Sequence, residues 1–211
     1  ETWGHVLPTA RRQGIGRRLL DRNLARIRER VALEAVDQPV QGGGFVEDAE
    51  VGHRALLAGA GFEIVRHFFL MRRPDLADIP DVPLPEGLEI RPVNPDQHHA
   101  ILDAEVEAFR DHWNHREPGP DDFRLTFSKP ELRTDLWVVA WDGDEVAGVV
   151  QSWIWPEENA ALGVERGWLE HISVRRPWRR RGLGRAITAR ALAVLRDAGM
   201  ADALLGVDSE T

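Results

Sequence analysis

The sequence predicts an α/β protein of the α+β kind, a mixed sheet with helices, present as one partial and one nearly complete copy. Three observations predict it. Residues 168–195 pass from a strand pattern through a basic, glycine-containing loop into a helical pattern. The same string recurs at residues 4–31, and residues 136–155 hold two β-rich runs around Asp142-Gly143-Asp144, a tight-turn composition.

Taken in order, Arg11, Gly14 and Gly16 stand 168 positions ahead of Arg179, Gly182 and Gly184, and Val6 stands equally far ahead of Val174. Downstream, Arg17, Arg22, Leu24, Ala25 and Arg28 match Arg185, Arg190, Leu192, Ala193 and Arg196. A repeat this long predicts a duplicated domain rather than a solenoid unit. Glu1 is not Met and falls within the repeat's strand, so the natural start is expected upstream. Gln41-Gly42-Gly43-Gly44 has no flanking strand and helix and reads as a flexible turn. Glu50 to Gly59 predict a short helix and Phe62 to Met71 a strand, so that the first copy ends at residue 73.

Residues 74–87, rich in Pro and Asp, predict a linker. A second copy is then expected over 88–211. It begins with a strand from Leu88 to Val93 and a helix from Asp96 to Trp113 that carries Leu102, Val106, Phe109 and Trp113 on one face. Pro118-Gly119-Pro120 breaks the chain before a short helix from Asp121 to Phe127. The hairpin pairs Leu136–Trp141 with Glu145–Trp155. In the following strand, strict alternation puts Trp168, Glu170, Ile172 and Val174 on one face and Leu169, His171 and Ser173 on the other. Leu183, Ile187, Ala191, Val194 and Leu195 share one helical face, and Ala203 to Val207 form a last strand.

The loop Arg179-Arg180-Arg181-Gly182-Leu183-Gly184 places two glycines where a helix begins. Its amides can close around an anion at the positive end of the helix dipole, so a phosphate-bearing ligand is expected. A Walker A loop is excluded because Arg185 and Ala186 follow Gly184, and a dinucleotide fingerprint because position 187 is Ile. The string R-x-x-G-x-G between a strand ending in Val and an Ala/Leu-rich helix resembles the acyl-coenzyme A pyrophosphate loop of the GNAT acetyltransferase superfamily. The repeated arrangement resembles its tandem-domain type, the group that includes mycothiol synthase. Within the superfamily's element order, the second copy is expected to lack its last helix and closing strands.

That resemblance implies acetyl-coenzyme A as acyl donor, its pantetheine arm lying as an extra strand along Ile172, Ser173 and Val174. Its pyrophosphate would sit on the amides of Arg179, Arg180, Arg181, Gly182, Leu183, Gly184 and Arg185. It implies direct attack by an amine on the thioester, with backbone N–H groups polarising the carbonyl. Glu170 stands where related enzymes carry a general base; the competing reading is a structural ion pair with an arginine. His171 ranks second, as a hydrogen-bonded core histidine. Asp111 and His112 lie in the segment that covers the acceptor in such enzymes, and could equally be solvated helix-end residues, as could His115. Arg175 and Arg176 could reach phosphate or form a solvated face. The chain has no tyrosine, the superfamily's usual general acid, and its place in the second copy falls beyond Thr211. The first copy, with Thr2 in the place of Glu170 and Leu57 in that of the tyrosine, is expected to be a degenerate partner that keeps Arg11 to Gly16 for coenzyme A.

Composition narrows the partners. The chain has 211 residues, 43% of them hydrophobic, 29% charged, with a formal net charge of −8. An acidic protein of this kind does not predict nucleic-acid binding. Cysteine is absent, which removes disulfides and thiolate chemistry, and His112 and His115 find no third ligand at metal-site spacing, so no metal is expected. No apolar run predicts a membrane span, and a cytoplasmic location is the default. The expected acceptor is a small-molecule primary amine. The alternative function is a non-catalytic acyl-coenzyme A-binding sensor or interaction module.

Overall fold

The computed structural model describes residues 4–33, 40, 42–113, 115–119 and 121–210. They fall into two units, Glu1–Arg66 and His67–Thr211. In the first, a 3-10 turn at Pro8–Ala10 leads through Arg12 and Gly14, both with positive φ, into α1 (Ile15–Leu33). The second helix, α2 (Val51–Ala58), ends where Gly61 takes φ +87° and the amides of Gly61 and Phe62 bond back to Ala58 and Leu57. A glycine in the left-handed region is the usual terminator of such a helix. No strand occurs among this unit's described residues, so the strand expected around Val6 is not formed there. Thr2 and Gln41 lie outside the described residues.

The second unit is a six-stranded sheet between two apolar layers. Its strands are β1 (Phe68–Arg73), β2 (Glu89–Arg91), β3 (Val138–Asp142), β4 (Glu145–Ile154), β5 (Arg166–Val174) and β6 (Asp202–Asp208). The order is β1-β6-β5-β4-β3-β2, with only β5 and β6 parallel. Among the described residues, the α-helices α3 (His98–Phe109), α4 (Asp122–Phe127), α5 (Pro156–Leu162) and α6 (Leu183–Asp197) flank it. The mixed-sheet class and the hairpin around Gly143, at φ +58°, agree with the sequence.

One face of the sheet buries α6: Leu183, Ile187, Ala191 and Leu195 pack with Val138, Ala140, Val150 and Leu169. The other face holds Ile101 and Ala104 of α3 against Trp137, Val139, Trp141 and Val149. The stripe that α3 buries is thus Ile101, Ala104 and Glu105, whereas Leu102 and Val106 are only half-buried and Trp113 lies past the helix end. Helix α6 stops in a Schellman arrangement: Met200 N–H bonds to Leu195 O, Gly199 N–H to Arg196 O, and Gly199 has φ +90°.

Three expectations need correction. The strand assigned to the end of the first copy forms six residues late, at Phe68, and pairs antiparallel with β6 from Phe68↔Asp208 to Arg73↔Ala203, so it belongs to the second unit's sheet. The 74–87 segment is no free linker. Leu76 is 2% exposed, its N–H bonds to Ala201 O, and Ile79 and Leu84 pack on the α6 core. Its prolines exclude it from helix and sheet, but its leucines still give it a face to bury. Helix α5, not anticipated, was signalled all the same: Pro156 at the first turn, Glu157 and Glu158 beside it, and Gly163 left-handed at its end.

Gly167 shows how closely β5 and α6 approach. A Cβ there would lie 2.5 and 2.7 Å from the Leu195 δ carbons. Gly167→Ala is expected to destabilise the second unit by about 1–3 kcal/mol through overpacking, read as a lower urea midpoint at unchanged slope.

Candidate active site

Parallel strands β5 and β6 exchange pairs only from Arg166↔Asp202 to Trp168↔Leu204, and beyond that point they diverge. On its other edge β5 continues antiparallel to β4 as far as Gly148↔Val174. Between the pairs Ser152↔Leu169 and Gln151↔His171 lies Glu170, an extra residue that makes a bulge. The bulge overturns the strict alternation. Leu169 joins Ile172 and Val174 on the α6 side, while His171 reaches α3; Trp168 therefore no longer shares a face with Ile172. Glu170 itself is exposed.

At the end of β5 the chain passes through a 3-10 turn, Arg176–Trp178, and then Arg180 at φ +63° and Gly182 at φ +87° lead into α6. No side chain caps the helix. A left-handed residue on each side of Arg181 turns successive amides toward one side, and the first N–H groups of α6 have no intrahelical acceptor. Arg180, Arg181 and Gly182 are exposed and Gly184 half-buried, so the turn stays open. Gly184 also lines a cleft of about 310 Å³ with Ile172, Thr188, Pro80, Val82 and Arg73. A larger hollow of about 610 Å³, around Arg72, Asn159 and Asp202, lies at the far end of β5 from this turn. Two of its charged groups are paired, as Asp202 accepts from Arg72 at 2.8 Å, and Asp202 accepts from Arg166 at 2.7 Å as well.

The first unit repeats this geometry residue for residue. Arg12 and Gly14 carry the same left-handed angles, φ +63° and +78°, after the same kind of 3-10 turn. Arg11 Nε donates to Val6 O at 3.1 Å as Arg179 Nε does to Val174 O at 2.8 Å. Each guanidinium closes its own turn and so fixes the backbone that follows.

This role separates Arg179 from the loop residues grouped with it. Its guanidinium also bonds to Ala108 O at 2.9 Å and to Asp111 at 2.9 Å, and Arg176 clasps the same carboxylate. The hydrogen bonds from Arg176 and Arg179 hold Asp111 far below the usual carboxylate range. Asp111 thus ties the end of α3 to the β5–α6 turn. His112 is half-buried, its ring beside Phe109 and its Nδ1 3.2 Å from Trp113 O. Arg175 is taken up by Glu107, Glu145 and Val146 O. Arg180, Arg181 and Arg185 remain exposed at the turn. Ser173 is buried, with Ile172 and Val174 half-buried beside it.

Next to the bulge, His171 Nδ1 lies 2.6 Å from Glu105 Oε1, and Gln151 Nε2 donates to the other Glu105 oxygen. Glu105 is buried, while the His171 side chain is half exposed and meets Phe109 edge-on. Desolvation opposes a charge on the ring, yet the Glu105 hydrogen bond and the charges of Glu105 and Glu170 outweigh it and raise the His171 pKa. Glu105 and Gln151 were missed in the sequence. The available signal was a glutamate in the buried i, i+3, i+4 set of Ile101 and Ala104, a place where a carboxylate needs a partner. Among the described residues, no group of three or more His, Asp or Glu could hold a metal ion. No described helix is long and apolar enough to cross a membrane.

A mixed sheet that splays beside a strand, an open amide turn and a helix is the architecture of the GNAT acyltransferases. The chain belongs to the acetyltransferase (GNAT) family, whose family model matches residues 98–210. It is similar to the mycothiol acetyltransferases of Catenulispora acidiphila, 30% identical over 208 residues, and Salinispora arenicola, 31% over 206. These matches cover 97% and 96% of the chain but 63% and 62% of the relatives, so the chain spans under two thirds of their length. Among solved structures, it shares its fold with a GCN5-related N-acetyltransferase from Sphaerobacter thermophilus, with a TM-score of 0.71 at 24% identity over 97% of this chain and 62% of that one. It also shares it with a tandem GNAT protein from the clavulanic acid biosynthesis pathway, with a TM-score of 0.58 at 19% identity over 98% of this chain and 65% of that one.

Proposed function

We propose that the chain is an N-acetyltransferase that moves an acetyl group from acetyl-coenzyme A to a small-molecule primary amine in the cytoplasm, with the second unit as the catalytic one. The observation that carries this is the open turn Arg180–Gly182 at the mouth of α6, next to the β5 edge that β6 leaves unpaired beyond Trp168. Diphosphate would sit on the amides from Arg180 to Arg185, with the guanidinium groups of Arg180, Arg181 and Arg185 around it. The pantetheine arm would run along Ile172, Ser173 and Val174, bonding to β5 as a strand would, and the cleft at Gly184 and Ile172 gives it room. Attack by the amine would put negative charge on the thioester oxygen, which backbone N–H groups of this edge would stabilise.

We also read residues 1–73 and 88–211 as two copies of one domain, the first keeping its turn at Arg11 to Gly16 as a second cradle for coenzyme A. The test is thiol release from acetyl-coenzyme A in the presence of a panel of primary amines, with mycothiol-related amines first because of the relatives' name. Amine-dependent release is the expected result. Tight binding of acetyl-coenzyme A with no release across the panel is what a sensor would give, and would end the enzymatic reading.

A further inference from the structure

An aliphatic amine reaches the site as an ammonium ion, and its nitrogen has no lone pair until a proton leaves. A glutamate is a poor acceptor: with ordinary pKa values of about 4.3 and 10.4, the transfer is uphill by about six powers of ten, against about four for histidine at 6.5. The bulge puts an oriented histidine at this place. His171 stands on the part of β5 that has left β6, half exposed, with Nδ1 held 2.6 Å from a carboxylate that is buried and itself gripped by Gln151. With Nδ1–H donating to Glu105, the neutral ring turns the Nε2 lone pair away from that carboxylate. Glu170, also exposed, is the extra residue of the bulge itself.

We propose that His171 Nε2 accepts the proton of the incoming ammonium, with Glu105 as the positioning residue that fixes its tautomer; this rests on the acetyl-transfer reading above. The freed amine attacks the thioester carbon, a C–N bond forms, and the carbonyl electron pair moves to oxygen. Collapse of that oxyanion breaks the C–S bond and releases coenzyme A as thiolate, which takes up the second nitrogen proton, directly or through water. His171 returns its proton to solvent through its exposed edge. The groups that set its protonation are Glu105 on α3, Glu170 on β5 and Lys129 after α4, the last opposing the two carboxylates, with neutral Gln151 on β4.

The experiment is the pH profile of kcat/KM for the best amine of the panel, read by thiol release, in wild type, His171→Gln, Glu105→Gln and Glu170→Gln. Wild type should gain activity with rising pH through an inflection above 6.5, the ordinary histidine value. His171→Gln should lose about 10²- to 10⁴-fold and the inflection with it. Glu105→Gln should move the inflection to lower pH, and Glu170→Gln should retain the inflection with a smaller downward shift. Nitrogen-15 NMR of the wild-type His171 ring, expected to carry its proton on Nδ1 above the inflection, reads the pair without any variant having to fold. A folded His171→Gln within a few-fold of wild type, or an inflection lost in Glu170→Gln instead, overturns the proposal and leaves acetyl transfer standing. Wild type that releases no thiol with any amine removes both.

Discussion

Acetyl-coenzyme A is expected to bind Gly182→Glu about 10- to 150-fold more weakly than wild type. Gly182 sits at φ +87°, where an L residue costs about 1–2 kcal/mol, and its side would meet no atom within 4 Å, so crowding adds nothing. The carboxylate, itself favoured at a helix N-terminus by about 0.3–1 kcal/mol, takes the diphosphate's place at the dipole and repels it. Together these give roughly 1.3–3 kcal/mol, or about 10- to 150-fold in affinity. Isothermal titration of wild type, Gly182→Ala and Gly182→Glu separates the two contributions, because alanine carries the strain alone. Equal affinity in all three would remove the turn from coenzyme binding. Gly14→Glu, made in parallel, reports on the first turn.

Asp202→Ala should cost the second unit about 3–5 kcal/mol, because it leaves the largely buried Arg166 without its carboxylate, while the more exposed Arg72 loses a partner but stays solvated. Asp202 is 4% exposed and bridges Arg166 at the start of β5 to Arg72 on β1, so one carboxylate holds three adjacent strands. Hydrogen bonds from Arg166, against the cost of burial, hold its pKa below the usual 3.8. A depressed folded-state pKa means that the stabilisation is fully present above about pH 4 and is lost as pH falls through the folded-state value. Wild type should therefore lose stability below pH 4 by a component that Asp202→Ala lacks. Urea midpoints measured from pH 7 down to pH 3 would show it, and parallel curves for the two proteins would refute it.

What the sequence disclosed follows from how local each feature is. The turn before α6 was legible because a few adjacent residues specify it: glycine at the left-handed position, an arginine that closes on the carbonyl five residues back, and apolar spacing that starts the helix. The hairpin at Gly143 was legible for the same reason. The bulge at Glu170 was not, since it exists only as a mismatch of register against β4, and that partner strand is set by contacts elsewhere. The pair His171–Glu105 joins residues 66 positions apart and could appear only once α3 was laid on the sheet. Likewise the Pro- and Asp-rich segment looked like a spacer, because composition cannot show that Leu76 will find the floor of α6.

Because Glu170 is one residue more than the ladder needs, β5 keeps two phases along a single strand. Its first half is locked in step with the parallel neighbour that anchors it, and its second half is set half a beat off, free to answer to whatever occupies the gap. Removing that one residue would make Ser152↔Leu169 and Gln151↔His171 successive pairs, erasing the offset between the halves while still presenting His171 to Glu105.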